Sequence, residues 1–281
     1  MSAITSTATL PKRSISLTSR FGPLATLSHR RLSLAARTPR ELLVPLLTPV
    51  LFAVLIGPAL KNALHASAQY EAYVAIGTLG LLIPLNTMFL GIGVIVDREN
   101  GAQRELLAAP IPRTFLVLGN LFVALLVTAL QIVALLGAAW ARGVSFHITS
   151  TGALWFLGAA TLLAIGMYGV AETLANRIPR QEEYIAATPA VAIVPWFFAG
   201  SLFPIGALPG ALTAVAKVLP LTHALALMRY GLIDHSGKGL HVIWGMGNTT
   251  VEAALSLGVV ALFAALLTVI SVRAFNRSAM G

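Results

Sequence analysis

Six long stretches of this chain carry no charged residue, and their lengths decide what it can fold into. Nineteen uncharged residues lie between Glu41 and Lys61, 25 between Glu71 and Asp97, and 28 between Arg113 and Arg142. A further 29 separate Arg142 from Glu172, 33 separate Glu183 from Lys217, and 20 separate Glu252 from Arg273. A helix rises about 1.5 Å per residue, so roughly 18 or more apolar residues cross a hydrocarbon layer of about 30 Å. Trimmed to their most apolar parts, the stretches predict six membrane helices, at residues 42–60, 72–96, 115–140, 153–174, 185–203 and 255–272. A transmembrane barrel would show alternating segments of about ten residues instead, and the sequence has none.

Composition agrees. Of the 281 residues, 57% are hydrophobic and 10% charged, against roughly 25% charged in an ordinary soluble domain. So few charges could not cover a soluble core of this size. There is no cysteine, which excludes thiol catalysis, iron–sulfur ligation and disulfides. Fourteen of the 19 Lys and Arg fall in the N-terminal tail, the loops after spans two and four, and the C-terminal tail. The opposite side has Lys61, Arg142, Lys217, Arg229 and Lys238. The excess places both termini in the cytoplasm. The net charge of +9 is then read as attraction to anionic headgroups rather than to nucleic acid.

Residues 1–20 are rich in Ser and Thr, lack the apolar core of a signal peptide, and are expected to form a disordered cytoplasmic tail. In residues 21–37 a helical wheel groups Phe21, Leu24, Ala25, Leu32 and Ala36 opposite Thr26, Arg30, Ser33 and Arg37. That pattern suits a helix lying in the cytoplasmic interface, ended by Thr38–Pro39; an irregular basic tail is the plainer alternative. The expected organisation is therefore a tail at 1–20, an interfacial segment at 21–41, a membrane domain at 42–274 and a short tail at 275–281. Between spans five and six, Pro204, Pro209 and Pro220 divide an apolar segment into pieces too short to cross. Such pieces suit short re-entrant helices on the outer side.

Motifs for self-contained chemistry are absent. Gly237–Lys238–Gly239 lacks the spacing and hydroxyl of a phosphate-binding loop. The six histidines are scattered, so no catalytic residue or metal ligand is assigned. Glu172 is the one ionisable residue near the interior of a span. It reads either as an interfacial anchor reaching water or as part of a transport path. With so few intramembrane charges, the energy source is expected outside the chain.

The most patterned polar stretch follows span two, from Asp97 to Arg113. Asn100 and Gln103 have capping-box spacing, which predicts a short helix over 101–109 ending at Pro110. Its Leu106 and Leu107 would be exposed apolar residues, fit to plug a partner's groove or to lie in headgroups. The run "DRENGAQRELLAAPIPRTFLVLGN", residues 97–120, resembles the coupling segment of type-2 ATP-binding-cassette exporter permeases. A second run, "FFAGSLFPIGALPGALTAVAKVLPLTHALALMR", residues 197–229, resembles that family's fifth-span exit. Ala102 and Ala109 stand where the family often has Thr, and His223 where an aromatic is frequent.

The resemblance implies an all-α permease that dimerises with a second copy or a related permease. It implies that each permease rests on a cytoplasmic ATPase subunit, which binds ATP and magnesium. Carried over by residue, Glu99, Gly101, Arg104, Glu105, Leu106 and Leu107 would form the ATPase-coupling helix, and residues 21–37 the interfacial connecting helix. Pro204, Pro209, Pro220 and Arg229 would belong to an outer re-entrant gate. If spans two and five line the path, then Asn86, Thr87, Thr188, Trp196, Phe197 and Phe198 would meet a hydrophobic or amphipathic cargo such as a drug, antibiotic or lipid-like molecule. The plainer alternatives are an aromatic belt at the outer interface and Asn86 as a helix–helix contact. Two other classes stay open: a self-powered carrier or channel, and a lipid-modifying enzyme using His223, Arg229 or Glu172.

Overall fold

A computed structural model describes residues 46–67, 69–102 and 113–278. The expected interfacial helix at 21–37 and the coupling residues Arg104, Glu105, Leu106 and Leu107 lie outside the described residues. All regular structure among the described residues is helical. We number the helices α1 (Leu46–Ala63), α2 (Gln69–Glu99), α3 (Arg113–Ala141), α4 (Ser150–Arg177), α5 (Gln181–Phe198), α6 (Gly210–Val218), α7 (Pro220–Leu232), α8 (Lys238–Trp244) and α9 (Thr249–Ser278). Five of these, α1 to α4 and α9, are long and apolar enough to cross a membrane. The chain is a multi-pass membrane protein.

Several helices run past the apolar stretches that predict them, because capping groups sit beyond the hydrocarbon-length core. The Thr149 hydroxyl accepts from the Gly152 N–H and starts α4. Asn248 Oδ1 accepts from the N–H groups of Thr250 and Val251 at the start of α9. At the other end of α4, Ile178 precedes Pro179 and turns extended. Within α1, residues Phe52–Ile56 form a π-turn. Its cause is Pro58, which has no N–H for the Val54 carbonyl; the preceding Gly57 N–H reaches back five residues to Phe52 instead.

Helix α5 departs from expectation. The apolar pattern extends the fifth span to residue 203, but the helix stops at Phe198. The Ala199 N–H makes the last bond, to Pro195, and Gly200 then takes φ +77°, a left-handed conformation that glycine adopts without strain. Its 18 residues rise about 27 Å. By its own composition α5 is too polar at Gln181, Glu182 and Glu183 to count with the five long apolar helices. Yet it packs antiparallel along α2, its start beside Arg98 and its exit beside Tyr73. It thus runs beside the part of α2 between Met88 and Gly77.

This arrangement gives the bundle two ends. The loop-rich end holds residues 64–67, 142–149 and 199–248; the basic end holds Arg98, Arg177 and Arg180. Helices α2 and α4 point to the basic end, and α5 and α9 run opposite to one another across the same bundle. At the loop-rich end α6 and α7 meet at Pro220 and bend by 82°.

Close approach rests on missing side chains. A Cβ on Gly231 of α7 would stand 2.4 Å from the Gly152 carbonyl oxygen of α4, and one on Gly152 would stand 2.2 Å from the Gly231 carbonyl oxygen. The two backbones touch with nothing between them, the arrangement small residues permit between membrane helices. Helix α4 likewise meets α9 through Gly166 and Gly169, against Phe263 and Leu267. The main core gathers around α2, α4 and α7, with Ile76, Leu79, Ile83, Leu163, Leu225 and Leu227 fully buried. Large apolar side chains such as Leu55, Val133, Leu157 and Leu262 face outward, as lipid-facing positions do.

A Gly231→Ala substitution is expected to lower stability by about 1–3 kcal/mol through overpacking. Gly258→Ala, where no atom lies within 4 Å of the new Cβ, is expected to stay within about 0.5 kcal/mol. Equilibrium unfolding in mixed micelles measures both.

Candidate functional site

The residues singled out from the sequence fall in three places. The first is the basic end. The main chain leaves α2 through the Asn100 N–H, bonded to Val96, and the Gly101 N–H, bonded to Arg98. Gly101 takes φ +76°, which turns the chain into residues 103–112. Glu99 is exposed beside this turn. Arg98 does something the sequence does not disclose. Its guanidinium donates to the carbonyl of Ala175 at 3.0 Å, of Ile178 at 2.8 Å and of Pro179 at 3.0 Å. These are carbonyls at the end of α4, which have no further helical N–H to accept from. A cation at a helix C-terminus also faces the negative end of the helix dipole. The exit of α2 is therefore fastened to the α4–α5 turn.

The second place is the α2–α5 seam. Thr87 is fully buried, but its hydroxyl donates back to Ile83 and Pro84 of its own helix. Thr188 is also fully buried and donates back to Tyr184 at 3.0 Å. Trp196 turns inward and its Nε1 donates to the Gly77 carbonyl at 2.7 Å. The Phe197 ring stands edge-on to Trp196 at 5.0 Å and is half exposed on the outer surface of the chain; Phe198 is partly buried. Asn86 differs from its neighbours, since its Nδ2 is buried without an acceptor. The seam thus brings Thr87, Thr188 and Trp196 into helix contacts. It leaves Asn86 with a free donor and Phe197 facing outward.

One residue of this seam was not predicted. Tyr184 is fully buried, and its hydroxyl donates to the Met88 carbonyl at 2.7 Å. The ring reaches α2 because residue 91 is glycine: a Cβ there would stand 2.1 Å from the Tyr184 oxygen. Gly91 thus lets α2 and α5 approach closely. The long-range partner of that glycine has no local signal.

The third place is the loop-rich end. Pro209 precedes α6 and Pro220 opens α7 at its first turn, where a missing N–H costs nothing. Thr213 donates to the carbonyls of Ile205 and Leu208 and ties the Pro204 turn to α6. Arg229 of α7 donates to the carbonyls of Gly200 at 2.8 Å, Ser201 at 2.8 Å and Tyr73 at 3.3 Å, with its guanidinium carbon 3.4 Å above the Tyr73 ring. Tyr73 in turn donates to Gly200 and Tyr70 to Leu202. His223 of the same helix is held by Ser256 and by the Lys217 carbonyl, and Trp244 donates to the same Ser256 hydroxyl.

Glu172 is enclosed within the helix bundle. It is 1% exposed, accepts from Tyr168 at 2.8 Å, and accepts from Asn176 at 3.2 Å. The reading in which its carboxylate reaches water is corrected: helix packing encloses it. It also lies toward the basic end, whereas Arg229 and His223 lie toward the other. The three residues of an enzymatic reading are not brought together.

These elements define a helical membrane protein whose second and fifth helices are bonded along their length. A broken hairpin of short helices packs on one end. Residues 23–233 match the family described as ABC-2 type transporter, and the chain belongs to that family. It is 25% identical over 199 residues to ycf38 of Porphyra purpurea, described as a transport permease, covering 69% of this chain and 68% of that protein. Its counterpart in Pyropia yezoensis is 24% identical over the same length and coverage. The chain is thus a transport permease by family, and a membrane transport component rather than an enzyme.

Tyr184→Phe is expected to destabilise the fold by about 0.5–1.5 kcal/mol through loss of one interhelical hydrogen bond. Thr188→Val, whose hydroxyl serves only its own helix, is expected to cost less. Unfolding in mixed micelles orders the two.

Proposed function

We propose that this chain is the permease subunit of an ATP-driven exporter in a cytoplasmic membrane, acting on an amphipathic or hydrophobic molecule such as a drug, antibiotic or lipid-like compound. In this reading it works as a dimer, with a second copy or a related permease, and both termini face the cytoplasm. A separate ATP-binding-cassette subunit supplies the energy; nucleotide and magnesium belong to that partner.

The observation that carries the reading is the fastening of the α2 exit. Residues 103–112 follow directly from a helix end that Arg98 binds to the α4–α5 turn. A push delivered to Leu106 and Leu107 by a partner would enter α2, α4 and α5 together. Family membership over residues 23–233 supports the partner's class. The excess of Lys and Arg at this end supports its facing the cytoplasm. At the opposite end, the 82° break between α6 and α7 supports a re-entrant hairpin closing the outer side, with Pro204, Pro209, Pro220 and Arg229 setting its shape. Asn86, with a free amide donor within an apolar helix, is the best-placed polar contact for cargo.

Purification in mild detergent from the native host is expected to bring an ATPase subunit down with the chain. A Leu106→Asp, Leu107→Asp double variant is expected to insert normally and to lose the ATPase. Arg98→Gln is expected to keep the ATPase bound, because its contacts lie within the permease, yet to lower transport per ATP by about tenfold, about 1.4 kcal/mol of lost coupling. Flux in liposomes lacking both ATP and the partner would overturn the reading and favour a self-powered carrier.

A further inference from the structure

At the loop-rich end, a cavity of about 450 Å³ lies between the start of α2, the exit of α5 and helices α7 and α8. That is within the roughly 300–1,000 Å³ usual for ligand pockets. Apart from Pro204 and Arg229, none of the residues assigned to transport borders it. Its chemistry is uneven in a way packing alone does not require.

Arg229 borders the cavity with a guanidinium that no carboxylate pairs among the described residues. Three carbonyl oxygens and the Tyr73 ring hold it. They spread its charge without neutralising it, and its Nε is buried with no acceptor. Thr222, about two turns earlier on α7, also borders the cavity, is 3% exposed, and its hydroxyl has no partner. A charge left unpaired in a low-dielectric site attracts an anion far more strongly than one in water. Asp234 also borders the cavity, but its oxygens accept from Ser236 and from the Lys238 backbone in the turn before α8. Lys238 adds a second cation at the edge. The remaining wall is largely apolar, with Ile205, Val242, Ile243 and the Tyr230 ring prominent.

We propose that this cavity binds an anionic amphiphile, with its acidic group toward Arg229 and its apolar part against Ile205, Val242 and Ile243. A membrane phospholipid and a single-chain amphiphile would meet the same groups. The site does not depend on the transport reading, and its test needs no ATPase.

Native mass spectrometry of the full chain from a neutral detergent tests it with two matched pairs. The first is dioleoyl-phosphatidylglycerol against dioleoyl-phosphatidylcholine; the second is dodecyl phosphate against dodecanol. In at least one pair the anionic member is expected to be retained about tenfold over the neutral one. Preference in the first pair identifies a lipid site, and preference confined to the second a site for single-chain ligands. Val242→Trp places a bulky ring at a cavity wall residue that is 38% exposed, and is expected to abolish the preference. Val218→Trp, at a residue 76% exposed and not bordering the cavity, is expected to keep it. Equal retention within both pairs overturns the proposal. So does a preference that survives Val242→Trp, or one that falls equally with Val218→Trp.

Discussion

Every polar group of the main chain must find a partner inside the apolar layer, and this one constraint arranges the molecule. It produces the long helices, and it also decides how they are joined. Hydroxyls within helices, such as Thr78, Thr87, Thr173 and Thr188, bond back to carbonyls of their own turn. The long-range polar contacts that cross between α2 and its neighbours are made by larger side chains: Tyr184, Trp196, Tyr73, Arg98 and Arg229. Each ends on a main-chain carbonyl. The Met88 and Gly77 carbonyls bonded by Tyr184 and Trp196 keep a second lone pair after serving their own helix, whereas Arg98, and Tyr73 and Arg229 at Gly200, bond carbonyls of helix ends and turns that lack a helical N–H donor.

The membrane class and most helices were legible because apolar length between charges is a local property. The pieces at Pro204, Pro209 and Pro220 were legible for the same reason, since proline acts on its own turn. The end of α5 was not. Residues 199–203 are as apolar as the helix before them, and the stop comes from Gly200 adopting a left-handed turn that Ile205 packs beneath. Hydropathy does not register that event. Most of the expected coupling segment lies outside the described residues.

Within the candidate site, sequence names residues without disclosing the partners that hold them. Trp196, read as a path or belt residue, holds the Gly77 carbonyl of α2. Glu172 was placed near water and is enclosed by Tyr168 and Asn176. Arg98 lay inside the patterned run, yet its acceptors stand 77 to 81 residues further along the chain. Tyr184 drew no notice because its only cue is a glycine on another helix. In each case the missing information is a partner distant in sequence.

The α2–α5 pair is closed at both extremities, by Arg98 on Pro179 at one and Tyr73 on Gly200 at the other, with Tyr184 and Trp196 between. Two rods riveted at several points along their length cannot slide past each other. They behave as one beam, and a load at one extremity reappears at the other as tilt with the sense reversed about whatever fulcrum holds the middle. Since α4 shares the Arg98 rivet and touches α7 directly through Gly152 and Gly231, the bent hairpin rides on that beam. Any tilt of that beam would therefore carry the hairpin with it as part of one movement.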